Sequence, residues 1–363
     1  MNYLTIIILI FSVLGAVDKM FGNRLGLGEE FEKAFNLLGV MALSMIGMIV
    51  ISPLFAELIE PLSKVFSSVL KIDASVIPAL LFANDMGGAP LAVELAVNKE
   101  LGMYNALVVS SMMGCTVSFT IPYALGVVKK EIHNDLLLGL LSGIVTIPVG
   151  CIVSGIISKI PIIPLILNII PLLILSVIIA LGLIYFPEKC IKAFKVFGVF
   201  ITVIITVGLS MGVINFLLGY DFIKGIGKIE DGMSVCMNAA IVLSGSFPFM
   251  LVLSKLLSKP LKWVGKKRGL NELSVIGFIA TLATSATAFG LLDRMDRKGA
   301  VMNSAFAVSG AFVLGSHLAF TLAFDSSFVL PVITGKLVSG ILAIIVADIN
   351  FHKIAKSGKS LEK

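Results

Sequence analysis

The sequence predicts an all-α membrane protein that crosses the bilayer many times, and its composition and segment lengths both indicate this class. Of its 363 residues, 58% are hydrophobic and only 14% are charged, whereas a soluble domain carries roughly 25% charged residues. Eleven apolar segments of about membrane-spanning length follow one another along the chain. We therefore expect one transmembrane domain over residues 1–363, with about 9–11 transmembrane helices.

Short polar connections separate these segments, and no stretch between them is long enough for a soluble domain. The first segment lacks a basic leading region and a convincing cleavage site, so we expect it to be a retained transmembrane helix. We expect the short basic tail from Phe351 to be solvated. In order, the segments are 3–21, 34–59, 75–97, 103–128, 135–158, 163–186, 194–218, 233–257, 273–292, 300–324 and 328–349.

The third segment contains the run FANDMGGAPLAVE at residues 82–94, which is unsuited to a plain membrane helix. A carboxylate such as Asp85 costs about 2.5 to 3.5 kcal/mol at the bilayer centre. Gly87, Gly88 and Pro90 would loosen the backbone just after it. Because irregular backbone survives at membrane depth only inside protein or beside a watery cavity, this run predicts one wall of a solute-binding site.

Segment 273–292 is also unusual, since it is rich in Thr, Ser, Ala and Gly where its neighbours use Ile, Leu and Val. It aligns with the third segment at a constant spacing of 199 residues (260 − 61, 275 − 76 and 308 − 109). The matched pairs are Pro61 with Pro260, Val76 with Val275, and Val109 with Val308. Self-similarity at a fixed spacing indicates duplication, so we predict repeat 1 over about residues 30–128 and repeat 2 over about residues 229–327.

The distribution of Lys and Arg distinguishes two topologies. If all eleven segments cross, the 27 such residues other than Lys336 (28 − 1) divide 13 to 14 between the two sides. If the two unusual segments dip in and return, they divide 21 to 6. Cytoplasmic loops carry an excess of Lys and Arg, which favours re-entrant or broken segments, an outside N-terminus and a cytoplasmic C-terminus. The repeats then have inverted topologies, a recurring transporter design.

In this arrangement Asn84 and Asp85 face Thr284, Ser285 and Thr287 across the middle of the protein. A carboxylate beside an amide and several hydroxyls suits a small cation that has hydrogen-bonding groups of its own. The alternative interpretation is structural, with Asp85 paired to a Lys or capping a broken helix.

Three further polar residues lie in apolar segments. Glu94 is a candidate gate or relay, or an interfacial acid paired with Lys99. Asn238 is a candidate solute contact, because the SGSFP run that follows it would break its helix again. His317 could titrate in a proton pathway or make an ordinary hydrogen bond.

Other classes of function find no support in the sequence. The four cysteines and three histidines are scattered without metal-ligand spacing or a nucleophile–base set, so we expect neither a metal, a cofactor nor an enzyme. No GxxxxGK[ST] motif is present, which argues against direct ATP drive. The basic cluster from Lys262 to Arg268 lies between apolar segments, which indicates contact with lipids rather than with nucleic acid.

Three runs of the chain resemble the ethanolamine-utilisation permease family of bacteria. They are LLFANDMGGAPLAVELA, VDKMFGNRLGLGEEFEKAF and SSMMGCTVSFTIPYALGVV, and the resemblance covers nearly the whole chain. It implies a multi-pass protein of the bacterial inner membrane that admits ethanolamine for breakdown by a cobalamin-dependent lyase inside a microcompartment. No binding residues are transferred from the family, so Asp85 and Asn84 are assigned on their chemistry and their place in its most distinctive motif.

Ethanolamine is mostly a cation at neutral pH, so Asp85 and Asn84 would take its ammonium while Ser285 or Thr287 takes its hydroxyl. An inside-negative potential adds about 2.3 kcal/mol per 100 mV for each positive charge that enters. Facilitated or potential-driven uptake would therefore suffice. The alternatives are a proton- or cation-coupled carrier of another small amine, and a channel. We expect membrane lipids as partners, and a homodimer as a common state of such folds.

Overall fold

The computed structural model describes residues 3–68 and 70–356, which form helices with no strand among them. Short 3-10 and π-helical stretches join some of these helices. The α-helices are α1 (Tyr3–Met20), α2 (Leu27–Asn36), α3 (Leu38–Ser68), α4 (Val76–Leu81), α5 (Gly88–Leu95), α6 (Lys99–Tyr104), α7 (Ile121–Val127), α8 (His133–Ile144), α9 (Ile147–Ile157), α10 (Ile162–Tyr185), α11 (Pro187–Leu218), α12 (Ile229–Lys267), α13 (Glu272–Ala283), α14 (Ser285–Leu291), α15 (Arg297–Gly310), α16 (Ser316–Phe324) and α17 (Val329–Lys356).

Within the described ranges, seven helical segments are long and apolar enough to cross a membrane. The prediction of an all-α polytopic membrane protein is therefore confirmed. Residues 357–363 of the tail, which we expected to be solvated, lie outside the described residues. One difference concerns the polar connection between the predicted segments 3–21 and 34–59, because α2 begins inside it. Leu27, Phe31 and Ala34 recur at helical spacing there, and the buried Leu27 and Ala34 mark the inward face of α2.

Two helical stretches form the centre of the protein. A π-helical stretch from Asn105 to Gly114 follows α6, and all of its residues are buried. Every residue of α15 from Gly299 onward is buried as well. Helices α8 and α17 pack along α15, while α3 packs against α11 and α12. The two central stretches occupy corresponding places in the predicted repeats, since each follows a broken helix pair.

The two ends of each unusual segment are hydrogen-bonded to each other. The Asp73 carboxylate, just before α4, accepts hydrogen bonds from the backbone N–H groups of Val97 (3.2 Å) and Asn98 (2.8 Å), just after α5. Likewise the backbone N–H of Asn271, just before α13, donates to the Asp296 carboxylate at 2.8 Å, just after α14. The two ends of each segment therefore lie together, and each segment is broken into two short helices, as the sequence predicts. Their re-entrance into the membrane from one side stays a prediction.

The elements also follow the same order at the predicted spacing. Shifted by 199 residues, the bounds of α4, 76 and 81, become 275 and 280, which lie inside α13. A broken pair and then a central stretch follow in each half. The inverted relation of the two halves stays a prediction.

Two expectations about helix continuity were wrong. The SGSFP run does not break its helix, because α12 runs unbroken from Ile229 to Lys267 and accommodates Pro248 and Pro260 within it. Conversely, the segment predicted as one span over 300–324 is interrupted between α15 and α16. A Cβ at Gly315 would lie 2.1 Å from the carbonyl oxygen of Ala283, so the chain unwinds there to approach another backbone closely.

Candidate functional site

The first helix break, between α4 and α5, carries the amide and the acid of the ANDMGG run. Phe82 and Ala83 are extended, residues Asn84–Met86 form one 3-10 turn, and Gly87 has a φ of 96°. A Cβ at Gly87 would lie 1.7 Å from the Cγ atom of Met48, so this position requires glycine for space as well as for its positive φ. The loosened backbone that the sequence predicts is therefore an actual break in the helix.

Ser118 holds this break against the central π-helical stretch. Its hydroxyl accepts a hydrogen bond from the backbone N–H of Ala83 at 3.0 Å and donates to the carbonyl of Gly114 at 2.8 Å. A Cβ at Gly114 would lie 2.0 Å from the carbonyl oxygen of Phe82. The backbone that the break exposes is thus enclosed in protein, as the membrane interior requires.

Polar groups without partners lie at both broken segments. Asn84 is fully buried, and neither its amide oxygen nor its amide nitrogen has a hydrogen-bond partner among the described residues. The buried hydroxyls of Ser285 and Thr281, in the second broken segment, lack partners in the same sense. A buried amide or hydroxyl without a hydrogen bond costs about 1 to 3 kcal/mol by protein mutational data. These groups are therefore available to a polar solute or to water.

A chain of polar groups leads from the first break into the protein. The Asp85 carboxylate, 19% exposed, lies 3.7 Å from Nε2 of His317, and the side chain of Ser316 also interacts with it. On the far side of the ring, Nδ1 of His317 lies 3.1 Å from Nζ of Lys336. Lys336 is 1% exposed, and its Nζ donates to the carbonyl oxygen of Ser111 at 2.6 Å.

The charged form of Lys336 assigns one histidine tautomer. As an ammonium, Lys336 has three donors and no acceptor, so in this form Nδ1 of His317 accepts from Lys336. The ring proton of the neutral imidazole then lies on Nε2, which faces the Asp85 carboxylate. An acid and a base of opposite charge are thereby connected through one imidazole ring.

The second helix break is joined to the first through the start of α16. Thr284 is extended and caps α14, since its hydroxyl accepts from the backbone N–H of Ala286 at 3.3 Å. The unwound stretch 311–315 pairs its backbone with the end of α13, through the bond from Leu314 to the Leu282 carbonyl at 2.9 Å. Helix α16 follows directly and carries His317 to Asp85.

An open groove of about 620 Å³ begins beside the first break, between the end of the π-helical region and α11. Ser118, Phe119 and Tyr123 line one wall. Phe119 packs edge-on against Phe312 at a centroid distance of 5.5 Å, and Phe312 packs on the His317 ring at 5.0 Å. Aromatic faces therefore lead from the groove to the polar chain.

The structure brings together three of the residues singled out in the sequence, namely Asn84, Asp85 and His317. The elements that pack on the Asn84–Met86 turn include α3, α5, the π-helical stretch and α16. Thr284 is engaged as a helix cap. Ser285 is buried, whereas Thr287 is exposed, because two residues along a helix turn a side chain to another face.

The remaining candidates lie on exposed helix faces. Asn238 is exposed on α12, while its neighbours Cys236 and Ala239 point inward. Glu94 is exposed near the end of α5. The roles proposed for these two residues as solute contact and gate stay predictions.

The sequence alone leaves the role of Lys336 open and would allow a pair with Asp325. The structure instead directs Lys336 to His317 and Ser111, while Asp325 bonds the backbone N–H of Ser327. A lysine in the middle of an apolar span was itself a signal, since intramembrane charges mark functional sites and seek partners. The part played by Ser118 carried no such signal.

Comparison with known proteins places the chain among bacterial membrane proteins. A model of the family described as ethanolamine utilisation protein EutH matches residues 1–349. A protein of Listeria monocytogenes named probable ethanolamine permease EutH is 40% identical over 98% of this chain and 96% of its own length. A protein of the same name from Salmonella typhimurium is 37% identical, over 94% of this chain and 93% of its own.

A third relative, from Bacillus subtilis, is named uncharacterized protein YxeR and is 36% identical over 92% of this chain and 90% of its own length. No solved structure matches this chain.

Proposed function

We propose, from the premise that this chain belongs to the ethanolamine utilisation protein EutH family, that it is a permease that imports ethanolamine by facilitated uptake. Its multi-pass helical structure agrees with membrane transport. Two of the reported relatives are named probable ethanolamine permeases, and for this chain we likewise propose transport without chemical conversion. We place it in the bacterial inner membrane, with the N-terminus outside and the C-terminus in the cytoplasm. A homodimer stays a prediction.

The observation that carries the proposal is the pair of side chains at the first helix break. Asp85 offers a carboxylate that is 19% exposed, and Asn84 beside it offers an amide with both polar atoms unpartnered. An ammonium leaving water must replace its hydration contacts. A carboxylate together with an amide oxygen can replace them through charge-assisted hydrogen bonds. We assign the ammonium of ethanolamine to this pair.

The hydroxyl end of ethanolamine needs one donor or acceptor at a short distance. Ser285 is the candidate that stays available, because its hydroxyl is buried and unpartnered whereas Thr284 caps a helix and Thr287 is exposed. The stretch that leads into α16 is bonded to the end of α13, just before Ser285, and the start of α16 carries His317 to Asp85. This stretch of backbone therefore connects the two parts of the proposed site.

The test is uptake of labelled ethanolamine into proteoliposomes by the wild type and by Asp85→Asn. The substitution removes the charge at nearly constant volume. A hydrogen bond to a charged group contributes about 1.5 to 3 kcal/mol, so uptake at low substrate concentration should fall about 10- to 150-fold. Asp221→Asn, the same change in an exposed loop, is the matched control and should transport like the wild type.

The outcomes separate the alternatives. Saturable uptake with counterflow, lost in Asp85→Asn, supports a carrier that uses this carboxylate, whereas flux without saturation would indicate a channel. Undiminished uptake by Asp85→Asn would refute the assignment of the site while keeping the substrate. If another small amine competes far better than ethanolamine itself, the substrate assignment is wrong.

A further inference from the structure

In the ordinary protonation states of an aspartate and a lysine, the polar chain at the first break carries one negative and one positive charge before substrate binds. Asp85 supplies the carboxylate, and Lys336 supplies the ammonium on the other side of the His317 ring. Lys336 and His317 are each 1% exposed. Because neither residue reaches bulk water, the charge of Lys336 depends on Asp85 and on hydrogen bonds from the protein.

No second carboxylate is available to this cluster among the described residues. The titratable groups that interact with Lys336 are Asp85 itself and the thiols of Cys115 and Cys151, and thiols are uncharged at neutral pH in their ordinary state. His317 contributes its ring from α16. The buried carboxylate of Asp135, on α8, is already engaged by Arg297 at 3.0 Å.

The arrival of a substrate ammonium therefore leaves the cluster with two cations and one anion. An uncompensated charge inside a membrane protein is strongly disfavoured. The imbalance disappears if one proton leaves when the substrate enters. Lys336 can release that proton, whereas an arginine in its place could not, because a guanidinium stays protonated in proteins.

The geometry also offers the proton a path. Lys336 lies 3.1 Å from Nδ1 of His317, so Nζ can pass a proton to Nδ1 while the opposite ring nitrogen, Nε2, releases its own towards Asp85. The ring stays neutral and only its tautomer changes. Lys336 becomes a neutral amine, Asp85 stays a carboxylate that faces the substrate ammonium, and one proton passes to water.

We infer that Lys336 is the internal counter-cation of the empty site and that it gives up one proton, through His317, each time a substrate ammonium binds at Asp85. The inference rests on the proposed function and adds its charge balance. One cation then enters the site for each proton that leaves it, so binding is electrically neutral. Facilitated uptake, and not uptake driven by the membrane potential, is the expected mode.

The test counts the protons released when ethanolamine binds the full-length purified protein. Calorimetric titrations at one pH in two buffers of different protonation enthalpy give this number directly. For the wild type we expect about one proton per ethanolamine, and an apparent Kd that falls about tenfold for each unit rise in pH. Lys336→Gln keeps a donor for Ser111 and His317 but has no proton to give. It should bind ethanolamine without proton release and with a Kd independent of pH.

Lys224→Gln, an exposed lysine in a loop, is the control and should behave like the wild type. If Lys336→Gln does not fold, Lys336→Arg serves instead, and weakened binding without proton release is expected. Binding by the wild type without proton release would overturn the inference and leave the proposed function intact. Release of one proton by Lys336→Gln or Lys336→Arg would also overturn it, because the proton would then come from the substrate. Absence of any ethanolamine binding by folded wild type would refute the proposed function itself.

Discussion

Removal of the Ser118 hydroxyl should destabilise the first helix break, and the structure provides a matched control. Ser118 and Ser110 are both buried, and each donates its hydroxyl to the carbonyl four residues earlier. Of the two hydroxyls, only that of Ser118 also accepts a hydrogen bond from the backbone N–H of Ala83, at 3.0 Å. The difference in unfolding free energy between Ser118→Ala and Ser110→Ala therefore measures the cost of one buried N–H that has lost its acceptor.

The magnitude follows from the cost of an unsatisfied buried donor. Such a group costs about 1 to 3 kcal/mol. Ser110→Ala instead removes a donor together with its own hydroxyl, and the acceptor left behind is a main-chain carbonyl within the π-helical stretch. We expect Ser118→Ala to lower the free energy of unfolding by about 1 to 3 kcal/mol more than Ser110→Ala. The same change should weaken ethanolamine binding, because the displaced backbone bears Asn84 and Asp85.

Reversible unfolding in mixed detergent micelles measures the first quantity, and calorimetric titration measures the second. Equal destabilisation by the two substitutions, within a few tenths of a kcal/mol, would refute the idea that Ser118 secures the break. Destabilisation without any loss of affinity would refute the link between the break and the site.

Two further predictions concern packing and loop charge. Gly315→Ala places a Cβ 2.1 Å from the Ala283 carbonyl oxygen, whereas the Cβ of Gly290→Ala meets nothing within 4 Å. The free energy of unfolding should therefore fall by about 1 to 3 kcal/mol for Gly315→Ala and change little for Gly290→Ala. Equal losses would contradict the close approach. The hydrogen bond from Lys129, 2.6 Å away, lowers the pKa of Asp293 below its usual 3.8, so this pair stabilises the fold above about pH 3.8 and loses that effect as pH falls through the lower folded pKa. Asp293→Asn should consequently be less stable than the wild type at neutral pH and match it in strong acid, and a difference independent of pH would exclude the pair as its cause.

Much of the architecture follows from the sequence because the bilayer restricts what a chain can do. Long apolar segments must be helices, since backbone groups in lipid need internal partners. Glycines, a proline and an acid in one segment exclude a regular span, and the bias in loop charge favours a segment that returns to its own side. The hydrogen bonds that the backbone N–H groups of Asn98 and Asn271 donate to Asp73 and Asp296 agree with both arguments. Asn84 and Asp85 were identified in the same way, as polar groups too costly for lipid.

The partners of those groups depended on tertiary structure. A helix break marks where polar groups are exposed, but which helix covers them is decided by packing between segments far apart in sequence. The sequence predicts residues 283–287 opposite Asp85, and this stays a prediction; the sequence does not predict that the break between α15 and α16 also brings His317 beside Asp85. No local signal reveals the break between α15 and α16, because the chain unwinds at Gly315 in order to contact the backbone of Ala283.

The continuity of α12 shows the converse case. The SGSFP run has the composition of a helix breaker, but it stays helical where buried neighbours surround it.

Lys336 also shows which features the sequence reveals and which depend on the fold. Its cost in an apolar span was visible in the sequence and required a partner. Only the fold determined that its partners are Ser111 and His317, with Asp85 on the opposite side of the imidazole ring. Such pairing depends on distances that are set when segments far apart in the sequence pack together.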